Sequence, residues 1–387
     1  MQLGWVDFSK EERNKIMQTL KLLDESTALD ELGIGVIRDG YADILFPGIS
    51  TLQTRAKYFV LTPYIFAKAE KEKFKRSSEV LQWINKKEDS LVGTLVKNSS
   101  ADALGIVGLR SYKQGKTVKV KPSIMYWNGM KTFEIIKDEN VSIGNVCSII
   151  FGKAVRRSAI TIKDEGETFD DETAANENVV IFSPIRPDYS IENDTNIELT
   201  NKEAIYLFDK IIMAKRSKDS LLAFLIKNKL SFPSFEEIDC RVLPKDIMQD
   251  YILAQSFANF IIGAHYRYNV IYSNEEDAEQ VEAYRSWAAS FHFDDFDLAE
   301  VLSRISSNEH TNLFLKDFYN ASKIGNLDLA DHLIIEREKH IKQDRAKLRK
   351  PREYKYKPVH NYKLDYRYST AQTIINDIIR GLEVHNG

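Results

Sequence analysis

The pattern Ser/Thr-x-x-Glu/Gln stands at Ser9–Glu12, Ser50–Gln53 and Thr200–Glu203, each time ahead of a run of apolar residues at helical spacing. In that pattern the first side chain accepts from an orphan amide at the helix start and the fourth reaches back to the first, so the chain announces where helices begin. After Ser9 the stripe is Ile16, Leu20 and Leu23, predicting a helix over Lys10–Asp24. A second helix is predicted over Leu32–Phe46, with Ile34, Ile37 and Tyr41 inside, and Pro47-Gly48 stops it. Ser50 and Gln53 then predict a third helix from Thr51 to about Lys71, with a kink or break at Pro63.

Helix, short Gly-containing turn and helix is the outline of a helix-turn-helix, whose second helix reads nucleic acid. Thr51, Gln53, Thr54, Arg55 and Lys57 fall in the first two turns of that expected helix, where free amides and Arg55 also suit a phosphate. The bland reading is a corner between two helices with exposed polar residues.

Further on, Leu109–Lys113 and Thr117–Val120 flank Gly115 and are expected to pair as a small hairpin, the wing of a winged-helix arrangement. Arg110, Lys113, Lys116, Lys119 and Lys121 would lie on it, either against a phosphate backbone or as lysines guarding an edge strand. Helices are expected over 78–97, from Pro122 through the core aromatics Tyr126 and Trp127, over 142–157, and repeatedly from Thr200 to Leu348. A last amphipathic helix is expected over Thr370–Val384. The fold class is mainly α with minor β. Its expected parts are a helix-turn-helix or winged-helix-like region over 1–158, an acidic linker over 159–199, a helical region over 200–348 and a basic aromatic arm with terminal helix over 349–387.

A net charge of −3 hides a strong asymmetry. Asp164–Glu198 holds eleven acidic residues and one basic residue, Arg186; Arg337–Arg367 holds twelve Lys or Arg and four acids. Beyond Leu348, Arg349, Lys350, Arg352, Lys355 and Lys357 interleave with Tyr354, Tyr356, Tyr362, Tyr366 and Tyr368, a pattern that suits phosphate with stacked bases or packing on a partner protein. The acids at 164–172 miss the spacing and central Gly of a calcium loop, so no metal is expected. His265 has no nucleophile motif beside it and is read as a core residue, leaving no catalytic residue and no cofactor. Cys147 and Cys240 carry neither disulfide nor zinc spacing, and no run is apolar for long enough to span a membrane, so a cytoplasmic protein is expected.

The words LGWVDFS at Leu3, DELGIGVIRD at Asp30 and LFPGISTLQTRAKYF at Leu45 resemble a bacterial domain-of-unknown-function family numbered 6361, and GIVGLR with KPSIMYWNGMKTFEI is similar to its second block. The resemblance implies no catalytic residue. It implies a setting, antiviral defence clusters, with a helicase or phospholipase-D-like nuclease as partner. The expected function is therefore an accessory nucleic-acid-binding subunit, engaging DNA before RNA and no membrane. A protein-interaction scaffold and a divergent metal-dependent nuclease are the alternatives.

Overall fold

Thr200 accepts the Glu203 amide while the Glu203 carboxylate accepts the Thr200 amide, and a helix follows over Asn201–Met213 as the spacing predicts. In the computed structural model, which describes residues 30–162, 181–349 and 353–384, such helices make up nearly all regular structure. In chain order they are α1 Gly35–Leu45, α2 Tyr58–Ala69, α3 Ser77–Asn98, α4 Leu109–Lys113, α5 Pro122–Thr132, α6 Ile143–Ile162, α7 Ile191–Asp194, α8 Asn201–Met213 and α9 Leu221–Lys227. Then come α10 Lys245–Tyr272, α11 Ala278–Ser290, α12 Leu298–Ser303, α13 Glu309–Lys323, α14 Leu327–Lys342 and α15 Tyr368–Glu383. The only β pairing among the described residues is an isolated bridge between Ile136 and Phe182. The first expected helix and the acidic cluster at 164–172 lie outside the described residues.

The chain divides into two units, each drawing on separated stretches of sequence. Unit 1 contains Phe46–Phe232 and the segment from Arg367 onward. In it α2 packs on α3 and α5, α3 on α6, and the terminal helix α15 on α8 and α9. The core is aromatic, because Phe59 meets Tyr126 edge-on at 4.9 Å while Phe66, Trp127 and Phe182 form a second cluster. Gly129 permits this approach: a side chain there would begin 2.5 Å from the Gly48 carbonyl.

Unit 2 contains Pro233–Tyr366 and the stretch ending at Leu45. Its axis is α10, 28 residues long and buried on most faces, flanked by α1, α11, α12 and α14. Gly263 lies under the indole of Trp287, whose Nε1 donates to the Asn259 carbonyl at 2.7 Å. His265 is buried in this helix with its ring stacked on His360.

Two expectations are corrected. The helix expected from Thr51 begins at Tyr58 and runs through Pro63. Ser50 and Gln53 do meet, with the Gln53 side-chain oxygen accepting from the Ser50 amide at 3.2 Å, but the Gln53 amide nitrogen donates to the Gly48 carbonyl and the Thr54 amide donates to the Tyr126 hydroxyl. Tertiary partners thus take the groups that would have started a helix. Residues 46–57 are longer than the roughly three- to four-residue turn of a helix-turn-helix, and α1 and α2 fall in different units. The expected hairpin strand Leu109–Lys113 is the short helix α4. Gly108, at φ 82°, turns the chain so that the Tyr112 amide reaches the Gly108 carbonyl at 2.8 Å and the Lys116 amide reaches Ser111 at 2.9 Å, leaving no ladder to pair.

Candidate nucleic-acid interface

The residues expected at the start of a recognition helix are engaged within unit 1. Arg55 directs Nε at the Asp377 carboxylate, 2.8 Å away on α15, and its Nη1 donates to the Leu104 carbonyl at 3.1 Å. The same carboxylate accepts from the Ala56 amide at 2.9 Å. Lys57 is fully buried, donating to Glu203 at 2.7 Å and to the Glu198 carbonyl at 2.9 Å. Burial lowers the Lys57 pKa, and the Glu203 carboxylate opposes that shift. Gln53 is buried as well, and the Thr54 hydroxyl donates to the Gly105 carbonyl at 2.6 Å. Of the five, Thr51 alone has an exposed side chain.

The basic residues around Gly115 are arranged oppositely. Arg110, Lys113, Lys116 and Lys119 are all exposed, and among the described residues no carboxylate lies within ion-pairing distance of them. The stretch Ala103–Phe133 contains no Asp or Glu at all. Two consecutive acids of α3 hold this loop from below. Asp89 accepts the Val118 amide at 3.0 Å and pairs with Lys121 at 2.6 Å, while Glu88 accepts the Ser123 amide at 2.7 Å and the Ser123 hydroxyl at 3.0 Å. Complete burial raises the Glu88 pKa to about 7 against the lowering effect of those bonds. Beside the loop runs a groove of about 650 Å³ with an aliphatic floor that includes Val107, Val120 and Met125, and with Arg110, Lys113 and Lys119 at its rim. The arrangement can attract polyanions without first breaking an internal ion pair.

The aromatic arm as far as Tyr366 belongs to unit 2 and is largely fastened there. Tyr356 donates to Asp277 at 2.6 Å, Tyr366 donates to the Ala254 carbonyl at 2.6 Å, and the Val359 amide donates to Asn269 at 2.9 Å. Lys355 and Lys357 are exposed, as are Tyr354 and Tyr362. Arg349 is exposed with Asp344 at 3.6 Å, while Lys350 and Arg352 lie outside the described residues.

Sequence reasoning missed the acids that organise unit 1, yet a signal exists. Asp377 and Glu88 each sit inside an apolar helical stripe, Asp377 among Ile374, Ile378 and Gly381, and Glu88 among Ile84, Leu91 and Val92. A carboxylate on a core-facing stripe needs a buried partner.

These features define a helical protein with an exposed basic loop anchored on a carboxylate pair. Residues 1–144 match the model of DUF6361, a family of unknown function, the same family its opening words resemble. No curated protein and no solved structure matches the chain. No described helix is long and apolar enough to cross a membrane.

Proposed function

We propose that this protein is an accessory nucleic-acid-binding component of a bacterial antiphage defence system, cytoplasmic, acting beside a helicase or phospholipase-D-like nuclease. The nucleic-acid part of the reading is carried by one observation: Arg110, Lys113, Lys116 and Lys119 are exposed together, with no described carboxylate to satisfy them. These cations would displace the counterions condensed on the phosphates, so affinity arises from counterion release and falls with salt. The defence setting rests on what the resemblance of the opening words implies, the matching family itself being one of unknown function. In this reading the segment Thr51–Lys57 contributes internal support to unit 1 rather than contacts to phosphate, since Arg55 and Lys57 have internal carboxylate partners. Lys355, Lys357 and the exposed Tyr354 and Tyr362 of unit 2 form a second candidate contact.

The test is fluorescence anisotropy of labelled DNA with the full chain and a Lys113→Glu/Lys119→Glu variant. Binding weakened at least about tenfold by the two reversals supports the reading. Binding unchanged by them removes the loop from it.

A further inference from the structure

The basic loop supplies more than charge. Its groove is shallow and open, about 650 Å³, and its floor is aliphatic. Phosphates gain nothing from Val107, Val120 or Met125, because burying an anion against hydrocarbon without partners is unfavourable. A duplex would rest its phosphates on the rim and leave this floor wet, since its bases are stacked away from the protein. An unpaired base offers a flat, weakly polar face that can cover the floor while its flanking phosphates stay at the rim.

We infer that the groove beside the basic loop receives an unpaired base of a single-stranded polynucleotide whose phosphates run across Arg110, Lys113 and Lys119. This rests on the nucleic-acid reading of the same loop and narrows it to single strands. Charge complementarity selects a polyanion, and the apolar floor selects one with exposed bases. The groove is built in advance of any ligand. Gly108 has φ 82°, and a side chain there would begin 2.3 Å from Val118, so the loop base closes only around glycine. Asp89 then fixes Val118 from the helix below.

The experiment uses the full chain with fluorescein-labelled oligo(dT), oligo(U) and a mixed-sequence duplex at one salt concentration, together with an oligo(dT) carrying a single 2-aminopurine. Single strands are expected to bind about tenfold or more tighter than the duplex, equivalent to about 1.4 kcal/mol or more. Bound 2-aminopurine is expected to change its emission. Val120→Asn, a neutral change at a half-buried floor position, should remove the single-strand preference while leaving duplex binding in place; Lys113→Gln should weaken both. Tight binding by either sugar type supports the inference. A duplex bound as tightly as single strands, or an unchanged 2-aminopurine signal, overturns it and leaves the nucleic-acid reading standing. If no polynucleotide binds, that reading falls and the inference falls with it.

Discussion

Arg55 and Asp377, 322 positions apart in the chain, meet at 2.8 Å, and this pair joins the connection before α2 to the middle of the terminal helix. The Asp377 side chain is 4 % exposed and that of Arg55 13 %, so water does little for either charge once the other is gone. Arg55→Ala is expected to destabilise unit 1 by about 3 kcal/mol, the order seen when one member of a buried pair is removed. Hydrogen exchange in α15 should rise in this variant. Asp377→Asn, which keeps an acceptor for the Ala56 amide, should cost less. Equal protection of α15 in wild type and Arg55→Ala would contradict the assignment.

Lys57 and Glu203 make a second internal pair, each side chain 1 % exposed. Lys57→Met leaves Glu203 with the Tyr189 hydroxyl and the Thr200 amide but no cation. The single change is expected to cost about 3 kcal/mol in urea unfolding monitored within unit 1, and adding Glu203→Gln should recover part of that loss. Additive losses would show that the two groups do not interact.

How far these pairs could be read from sequence depends on what each residue does locally. Thr200 and Glu203 formed the capping box their spacing predicts, because both bonds lie within one helical turn. Ser50 and Gln53 have the same spacing and found each other, yet no helix began there, because Gly48, Tyr126 and Asp377 took the neighbouring donors. Those partners come from residues 72 or more positions away, or from an irregular turn, and no local pattern encodes them. The basic character of Arg110–Lys119 was legible, while its conformation was not: four or five residues of alternation cannot distinguish a strand from a turn of helix. Arg55 and Lys57 looked available for phosphate only because the acids that claim them lie elsewhere in the chain.

Glu88 should make stability depend on pH. Burial raises its folded pKa from 4.5 to about 7, so the native state holds a proton that the unfolded state releases between those values. Stability contributed by the protonated form is complete below about pH 4.5 and declines as pH rises towards 7. Glu88→Gln, still able to accept from Ser123, should abolish this decline and be more stable than wild type at pH 8, by at most about 3 kcal/mol. A wild-type profile that is flat from pH 5 to 8 relative to the variant would contradict the assignment.

His265 acts in the other direction in unit 2. Burial first, then the neighbouring His360, lowers its pKa from 6.5 to about 3, with Glu31 opposing. The unfolded chain therefore binds a proton that the native state refuses, and stability falls as pH drops below 6.5 towards 3. Glu31 behaves differently: burial would raise its pKa, but the His360 hydrogen bond and the charges of Lys347 and Lys342 bring it down to about 2. Its contribution is lost only as pH falls from 4.5 to about 2. His265→Phe should flatten unit 2 unfolding between pH 6.5 and 4.5 and leave the lower limb in place.

Gly108→Ala tests the loop without removing a charge. Its φ of 82° disfavours a side chain, and the added carbon would start 2.3 Å from Val118. Displacing Val118 moves Lys119 from the rim, so nucleic-acid affinity is expected to drop about three- to tenfold, while helix content by circular dichroism stays near wild type.

The central claim is that Arg110, Lys113, Lys116 and Lys119 meet phosphates, and the dependence of affinity on salt measures it most directly. Four neutralised phosphates give a slope of log K against log salt of about −2.8 for a single strand and about −3.6 for a duplex. Replacing all four residues with Gln should flatten the slope towards zero, with any remainder belonging to the arm of unit 2, whereas Arg55→Lys should leave it unchanged. A slope that is the same in wild type and the fourfold variant would contradict the account.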